Sequence, residues 1–216
     1  MLARVHSAAI LGVDAYEVQV EVDITRGTGA FNIVGLPDAA IRESRDRTAA
    51  AIRNSGFEFP LERITINLAP ADVRKEGPAF DLPIALGILL ASGQIAIDDL
   101  DQSVVVGELS LDGAVRPISG ALPVALGART WGKKNAVVPS ANGLEAAVVT
   151  DFEVYAAETL YDCVCLMEQG FMAEPVTVPD EDLDLTVSPY GIDFSDVKGQ
   201  EHVKRALEVA AAGGHN

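Results

Sequence analysis

Two short stretches gather the side chains that could do chemistry. One is Arg74-Lys-Glu-Gly-Pro-Ala-Phe-Asp-Leu-Pro-Ile-Ala-Leu86, the other Gly107-Glu-Leu-Ser-Leu-Asp-Gly-Ala-Val-Arg-Pro-Ile-Ser-Gly120. Together they offer an amine (Lys75), two hydroxyls (Ser110 and Ser119) and the acids Asp81 and Glu108. A hydroxyl becomes a nucleophile only beside a group that takes its proton, and an amine of depressed pKa can be that group. A carboxyl acts as general acid only where a partner or a pocket tunes it. Neither acid has a visible partner. Asp81 opens an otherwise apolar helical run, where free N–H groups and the positive end of the helix dipole favour a carboxylate, so N-terminal capping worth roughly 0.5–2 kcal/mol is its expected role. Glu108, at the start of a hairpin strand, is expected to be structural.

Other chemistries find little support. Cys163 and Cys165 are the only cysteines, two apart on an expected helix, so they point in different directions and do not bridge. With three histidines (His6, His202, His215) they make a poor metal site, and buried reduced thiols are expected instead. No Gly-x-x-x-x-Gly-Lys-Ser/Thr phosphate loop occurs. The net charge of −16 is unevenly spread: residues 1–75 hold 9 Lys+Arg against 10 Asp+Glu, residues 76–216 hold 7 against 22. Nucleic acid demands local positive charge. That confines a nucleic-acid surface to the first third, through Arg42, Arg45, Arg47 and Arg53 on one expected helix with Arg74 and Lys75, and foremost Arg42 and Arg45. The bland alternative is a solvated helix face in which Glu43 and Asp46 mix with the arginines. The acidic remainder disfavours close packing of like domains without cations nearby.

The elements that must position these residues follow from periodicity. Apolar residues are 49% of the 216, enough for a sizeable core. Residues 3–34 alternate as two or three strands, with Val18, Val20 and Val22 on one face. Gly35-Leu-Pro-Asp38 starts a helix running to about Asn54, with Pro37 near its first turn. Ile64–Leu68 is a strand, 70–78 a loop, and Phe80–Ser92 a buried helix that tolerates Pro83 in its first turn. Val104–Val106 is a buried strand, and residues 109–118 form a hairpin with a two-residue turn at Asp112-Gly113. A helix over 120–131, a strand at 136–138, a short helix at 143–147, a strand at 152–156 and a closing helix at 159–169 complete the pattern. This order predicts an α+β fold, a mixed sheet with helices mainly on one face. Residues 171–192, with three prolines, five acids and no Lys or Arg, read as a linker. Asp193 to Asp196 then offer N-caps for a helix over 201–212 that Gly213-Gly214 ends. No apolar run reaches membrane-spanning length and no signal layout opens the chain, so a soluble, cytoplasmic protein is expected.

The first two stretches resemble the proteolytic domain of Lon-type ATP-dependent proteases. That family carries its nucleophile in a Lys-Asp-Gly-Pro-Ser-Ala-Gly loop and its lysine base in Gly-Glu-Ile-x-Leu-x-Gly-x-Val-x-Pro-Ile-Gly-Gly-x-Lys. Lys75-Glu76-Gly77-Pro78 matches the first four loop positions, and the nucleophile's place falls to Ala79. Gly107 through Gly120 match without a gap, and the lysine's place falls to Leu122. Ala79 has no attacking atom and Leu122 no proton acceptor, so the resemblance implies a retained scaffold with no catalytic residue. Ser110, Ser119 and Lys75 are not placed by the motif where attack would occur.

Further blocks narrow the resemblance: Ala3-Arg-Val-His-Ser-Ala8, Phe31-Asn-Ile-Val-Gly-Leu-Pro-Asp-Ala-Ala-Ile-Arg-Glu-Ser44, Ile66-Asn-Leu-Ala-Pro-Ala-Asp72, Phe194-Ser-Asp-Val-Lys-Gly-Gln200 and Ala210-Ala-Ala-Gly-Gly-His-Asn216. With the loop and hairpin they resemble the ComM (YifB) family of bacterial AAA+ ATPases, related to magnesium-chelatase subunits. The resemblance implies a Lon-protease-like domain of the ribosomal protein S5 domain 2 type over 1–170. A linker over 171–192 and the first helix of an AAA+ domain over 193–216 would follow, with the motor beyond Asn216. It implies no ATP hydrolysis by this stretch alone, Val197 and Gly199 beside an adenine, and ATP and Mg²⁺ bound by the full-length protein. That protein would be a homo-hexameric DNA branch-migration helicase of natural transformation, without membrane attachment. A chelatase-type role in metal insertion and a cryptic Lon-like peptidase are the alternatives.

Overall fold

A computed structural model describes residues 2–27, 29–179, 197 and 199–213. The chain divides into two compact units, Met1–Val178 and Pro179–Asn216.

In the first unit, β1 (Leu2–Leu11) and β2 (Asp14–Thr25) form a long antiparallel hairpin, and β4 (Arg63–Ala69) adds antiparallel to β2. The short β3 (Ala30–Val34) lies parallel on the outside of β4. On the other side of β1, strands β5 (Ser103–Val105), β8 (Asn135–Pro139) and β9 (Glu153–Ala157) add in parallel. The sheet order is β3-β4-β2-β1-β5-β8-β9. A separate two-stranded ribbon pairs β6 (Glu108–Leu109) with β7 (Val115–Arg116). The α+β class read from the order of elements holds.

Alternation along β2 buries Val18, Val20 and Val22 while Gln19, Glu21 and Asp23 stay half exposed. Register then stacks Val5 and Leu68 on either side of Val20. Over these valines runs α3 (Asp81–Ala91), nearly all of it buried, with Pro83 in its first turn. A Cβ on Gly87 would stand 2.5 Å from a Val22 methyl, so only glycine lets α3 come this close. On the same side lie α2 (Ser44–Asn54) and α6 (Leu160–Glu168). The expectation of helices mainly on one face is corrected here. Helices α4 (Ala121–Thr130), over β2, β8 and β1, and α5 (Gly143–Ala147), over β9 and β8, cover the opposite face and form a second core. Val105 and Val137 point into the first core, while Val104, Val106, Ala136 and Val138 point into the second. Strands buried on both sides read as continuous apolar runs, which is why these lack a polar face.

Three local expectations also change. The helix expected from Gly35 to Asn54 is two: Asp38 caps α1 (Ala39–Arg42) by accepting from the Ile41 amide (2.9 Å), and Glu43 separates it from α2. Pro37 stands ahead of α1 in a bridge with Lys75. The β6–β7 turn has three residues rather than two: the Ser110 amide donates to Ala114 O (3.0 Å) and the Gly113 amide to Ser110 O (3.0 Å). Gly113, at φ +90°, occupies the left-handed position that such a three-residue loop needs. In α6, opened by a Thr159/Asp162 capping box, both thiols are free, but Cys165 is only half buried. Burial pushes the Cys163 thiol up to about 12, so it stays protonated.

Residues 171–176 lie against β9 rather than apart from it: the Phe171 ring meets Tyr155 at 4.8 Å and the Val176 amide donates to Val154 O (2.7 Å). The expected linker beyond residue 179, and the Asp193–Asp196 caps, lie outside the described residues. In the second unit, α7 (Glu201–Gly213) carries Lys204–Glu201 (3.1 Å) and Arg205–Glu208 (3.0 Å) pairs and no buried residue. Among the described residues no helix is long and apolar enough to cross a membrane.

Candidate functional site

Two loops that sequence brought to notice meet at one cleft. The segment after β4 is pinned first by Lys75, whose side chain is 0% exposed. Its Nζ donates to the carbonyls of Pro70 and Val73. Burial lowers the amine's pKa, with Asp72 opposing. The Lys75 backbone pairs with Leu36 O (3.2 Å) and with the Asp38 amide (3.0 Å). Asp38 then does double duty, since the carboxylate that caps α1 also accepts from the Gly77 amide (3.0 Å). Lys75 therefore holds the loop and does not face the cleft.

From Gly77 the chain enters a 3₁₀ turn, Pro78–Phe80, that runs directly into α3. The Ala79 carbonyl accepts from the Gly107 amide (2.9 Å), and the Gly107 carbonyl accepts from the Leu82 amide (3.0 Å). This clasp seats the β6–β7 ribbon on the start of α3.

Asp81 is not an N-cap, and this corrects the reading from sequence. The residue before it already has helical backbone angles, so no extended residue stands where a capping carboxylate would act. The buried carboxylate instead accepts from Arg47 Nε (2.8 Å) and Nη2 (3.1 Å), and from the Leu109 amide (3.3 Å). Burial raises its pKa, and Arg47 pulls it back down. The guanidinium in turn is pushed up by hydrogen bonding to the same carboxylate. One ion pair thus joins α2, α3 and the ribbon.

The cleft itself has a volume of about 620 Å³. Ala79, Phe80, Ile118 and Ser119 line it together with the acids Asp38, Glu76 and Glu108, with no Lys or Arg among the lining residues. Of the two positions singled out by the Lon-like motif, Ala79 is on the wall, while Leu122 packs against the second core and its amide donates to Glu145 (3.1 Å). Ser110 Oγ is engaged with Asp112 and with Ala114 O inside the turn. Glu108 stands 3.8 Å from Arg116 across the ribbon. The structure does not bring Lys75 Nζ and a serine hydroxyl together.

The arginines divide. Arg42 is exposed on α1 and Arg45 on α2, so they do not share one helix, and Arg47 is committed to Asp81. The Arg45 guanidinium lies 6.0 Å over the Phe31 ring and that of Arg53 5.3 Å over Phe59. Val197 is exposed and Gly199 has φ +73°. No group of three or more metal-ligating side chains forms among the described residues. Sequence reasoning missed Asp38 and the Asp81–Arg47 pair. The first had a signal, an Asp just before a helix; the second, 34 residues apart, had none.

Comparison with known proteins adds kinship. The family described as subunit ChlI of Mg-chelatase matches residues 20–142, and magnesium chelatase, subunit ChlI, matches 193–216. Competence protein ComM of Haemophilus influenzae is 41% identical over the whole chain, and YifB of Escherichia coli 43%; the chain spans 42% of the length of each. Lon protease 2 of Bacillus subtilis is 26% identical over 67% of this chain and 30% of its own. The chain belongs to the Mg-chelatase ChlI family, as a ComM-type AAA+ protein related to Lon proteases.

Proposed function

We propose that the first unit is a non-catalytic Lon-like module serving a ComM-type ATPase that drives DNA branch migration in natural transformation. The observation that carries the reading is the cleft wall: a methyl group, Ala79, where the Lon-like motif puts its nucleophile, with the half-buried Leu122 packed against the second core where that motif puts its base. A relative named as a competence protein supports the wider role. Residues 1–170 would form the module, 171–192 the connection and 193–216 the first helix of the motor. The motor would supply the phosphate loop, the Mg²⁺ ligands and the hexameric contacts, and Val197 and Gly199 would lie beside the adenine. Exposed Arg42 and Arg45 would contact DNA.

The full-length protein, incubated with a four-way junction and ATP, is expected to move the branch point and to leave an unstructured protein substrate intact. Proteolysis lost on mutating Ser119 would revive a peptidase. The chelatase description of the matched family favours a second reading, metal insertion. ATP-dependent metallation of a porphyrin, with no effect on junctions, would replace the first reading by the second.

A further inference from the structure

We propose that the outer face of α2, together with Phe31 and Phe59, binds single-stranded nucleic acid. The proposal rests on the DNA reading above and names the side chains that make the contact. Most cations of the first 75 residues that pair at all are committed internally: Arg4 to Glu21 (3.2 Å), Arg47 to Asp81, Arg74 to Glu76 (3.3 Å) and Lys75 to backbone carbonyls. Arg45 and Arg53 are different. Both are exposed, neither forms an ion pair among the described residues, and each lies over an aromatic ring. The two rings stack on each other, with centroids 6.3 Å apart and planes 30° apart.

The arginines are eight residues apart on α2, about 12 Å along the helix axis. Both line a groove of about 120 Å³ with Phe31 and Phe59. It continues across the Phe59–Glu62 segment into a second groove of about 610 Å³ that reaches Gln94. From Arg26 to Arg63 the chain holds six arginines against five acids, the reverse of its overall balance of −16.

This arrangement fits an unpaired strand better than a duplex. A guanidinium held on a ring keeps its N–H edge free for phosphate and has less freedom to lose on binding. Unpaired bases stack on aromatic and guanidinium planes, whereas duplex bases hide their faces. Glu58 lines the second groove and Glu62 lines both, while Arg45 and Arg53 stand on α2, so phosphates sit on the α2 side and bases over Phe59 and Leu61, the latter 83% exposed.

The test uses the full-length protein with a labelled oligothymidylate strand and a duplex of equal length, titrated by fluorescence anisotropy over a salt series. For R45Q/R53Q, strand affinity is expected to fall about tenfold or more, with the log–log salt slope lower by about 1.4, two contacts at ~0.7 each. Duplex affinity should fall less than about threefold. Phe59→Leu, which keeps an apolar side chain in place, should weaken strand binding at least about fivefold by loss of stacking. Unchanged strand affinity in R45Q/R53Q, with wild-type binding intact, overturns the proposal and leaves the groove to a polypeptide partner. Equal losses on strand and duplex overturn it too. Wild-type protein that binds neither form sinks the DNA reading itself.

Discussion

The cleft and the outer face of α2 use the same residue types in opposite ways. Around the cleft, three charged side chains are answered by fixed partners: Asp81 by Arg47 and the Leu109 amide, Lys75 by two carbonyls, Asp38 by two amides. On α2, Arg45 and Arg53 are exposed and rest on rings instead of carboxylates. A buried charge must be paired or it costs several kcal/mol. An exposed guanidinium on a ring contributes little to folding. Charges in the first region therefore hold the scaffold together, while those in the second are available to a ligand.

The comparison breaks most visibly at the ion pair. Asp81→Ala leaves Arg47 and the Leu109 amide without their acceptor and should cost about 3–5 kcal/mol, read by urea unfolding; a loss under 1 kcal/mol would mean the pair is not structural. Next comes Lys75→Met, expected to cost about 1–3 kcal/mol because two carbonyls lose their donor. Burial lowers the folded amine below its ordinary 10.5, so between its lowered value and 10.5 the unfolded chain holds more protons and stability rises with pH. Tyr16 and Tyr155, held up by burial, act in the opposite sense in both proteins, so melts across that interval should show a more positive slope in wild type than in K75M. Thr159→Ala, which removes the N-terminal cap of α6 and no charge, sets a reference at about 1 kcal/mol. The last is the sharpest: R45Q/R53Q should shift stability by only about 1 kcal/mol, two exposed ring contacts at ~0.5 each, while weakening strand binding. Arg42→Ala should weaken it less than R45Q/R53Q, since Arg42 is off α2 and over no ring; an equal loss would make α1 as central to the interface as α2.

Periodicity made most of the fold legible. The valines of β2, the buried helix after Phe80 and the ribbon around Asp112-Gly113 were all readable because local pattern determines them. The second helical layer was not inferred, although Val104-Val-Val106 and Ala136-Val-Val138 carried the signal of strands covered on both faces. The break at Glu43 had none, for nothing in that residue disfavours helix; Asp38 caps a first short turn and α2 starts afresh. At the cleft, sequence located the loop and the ribbon but misread Asp81. A capping role follows from neighbours in the chain, whereas its real partner, Arg47, comes from another helix.

The ribbon tip has a consequence for how the unit can move. Beyond the Ala79–Gly107 clasp, Asn54 Nδ2 donates to Leu111 O (2.6 Å), and the Leu160 amide donates to Gly113 O (2.8 Å). Two helices thus grip a turn whose Leu111 side chain projects into solvent, and α3 holds the base of the same ribbon through the Leu82–Gly107 hydrogen bond. Anything that pulls on that leucine loads α2, α3 and α6 together, so the tip behaves as a handle on the whole core and not as a hinged flap.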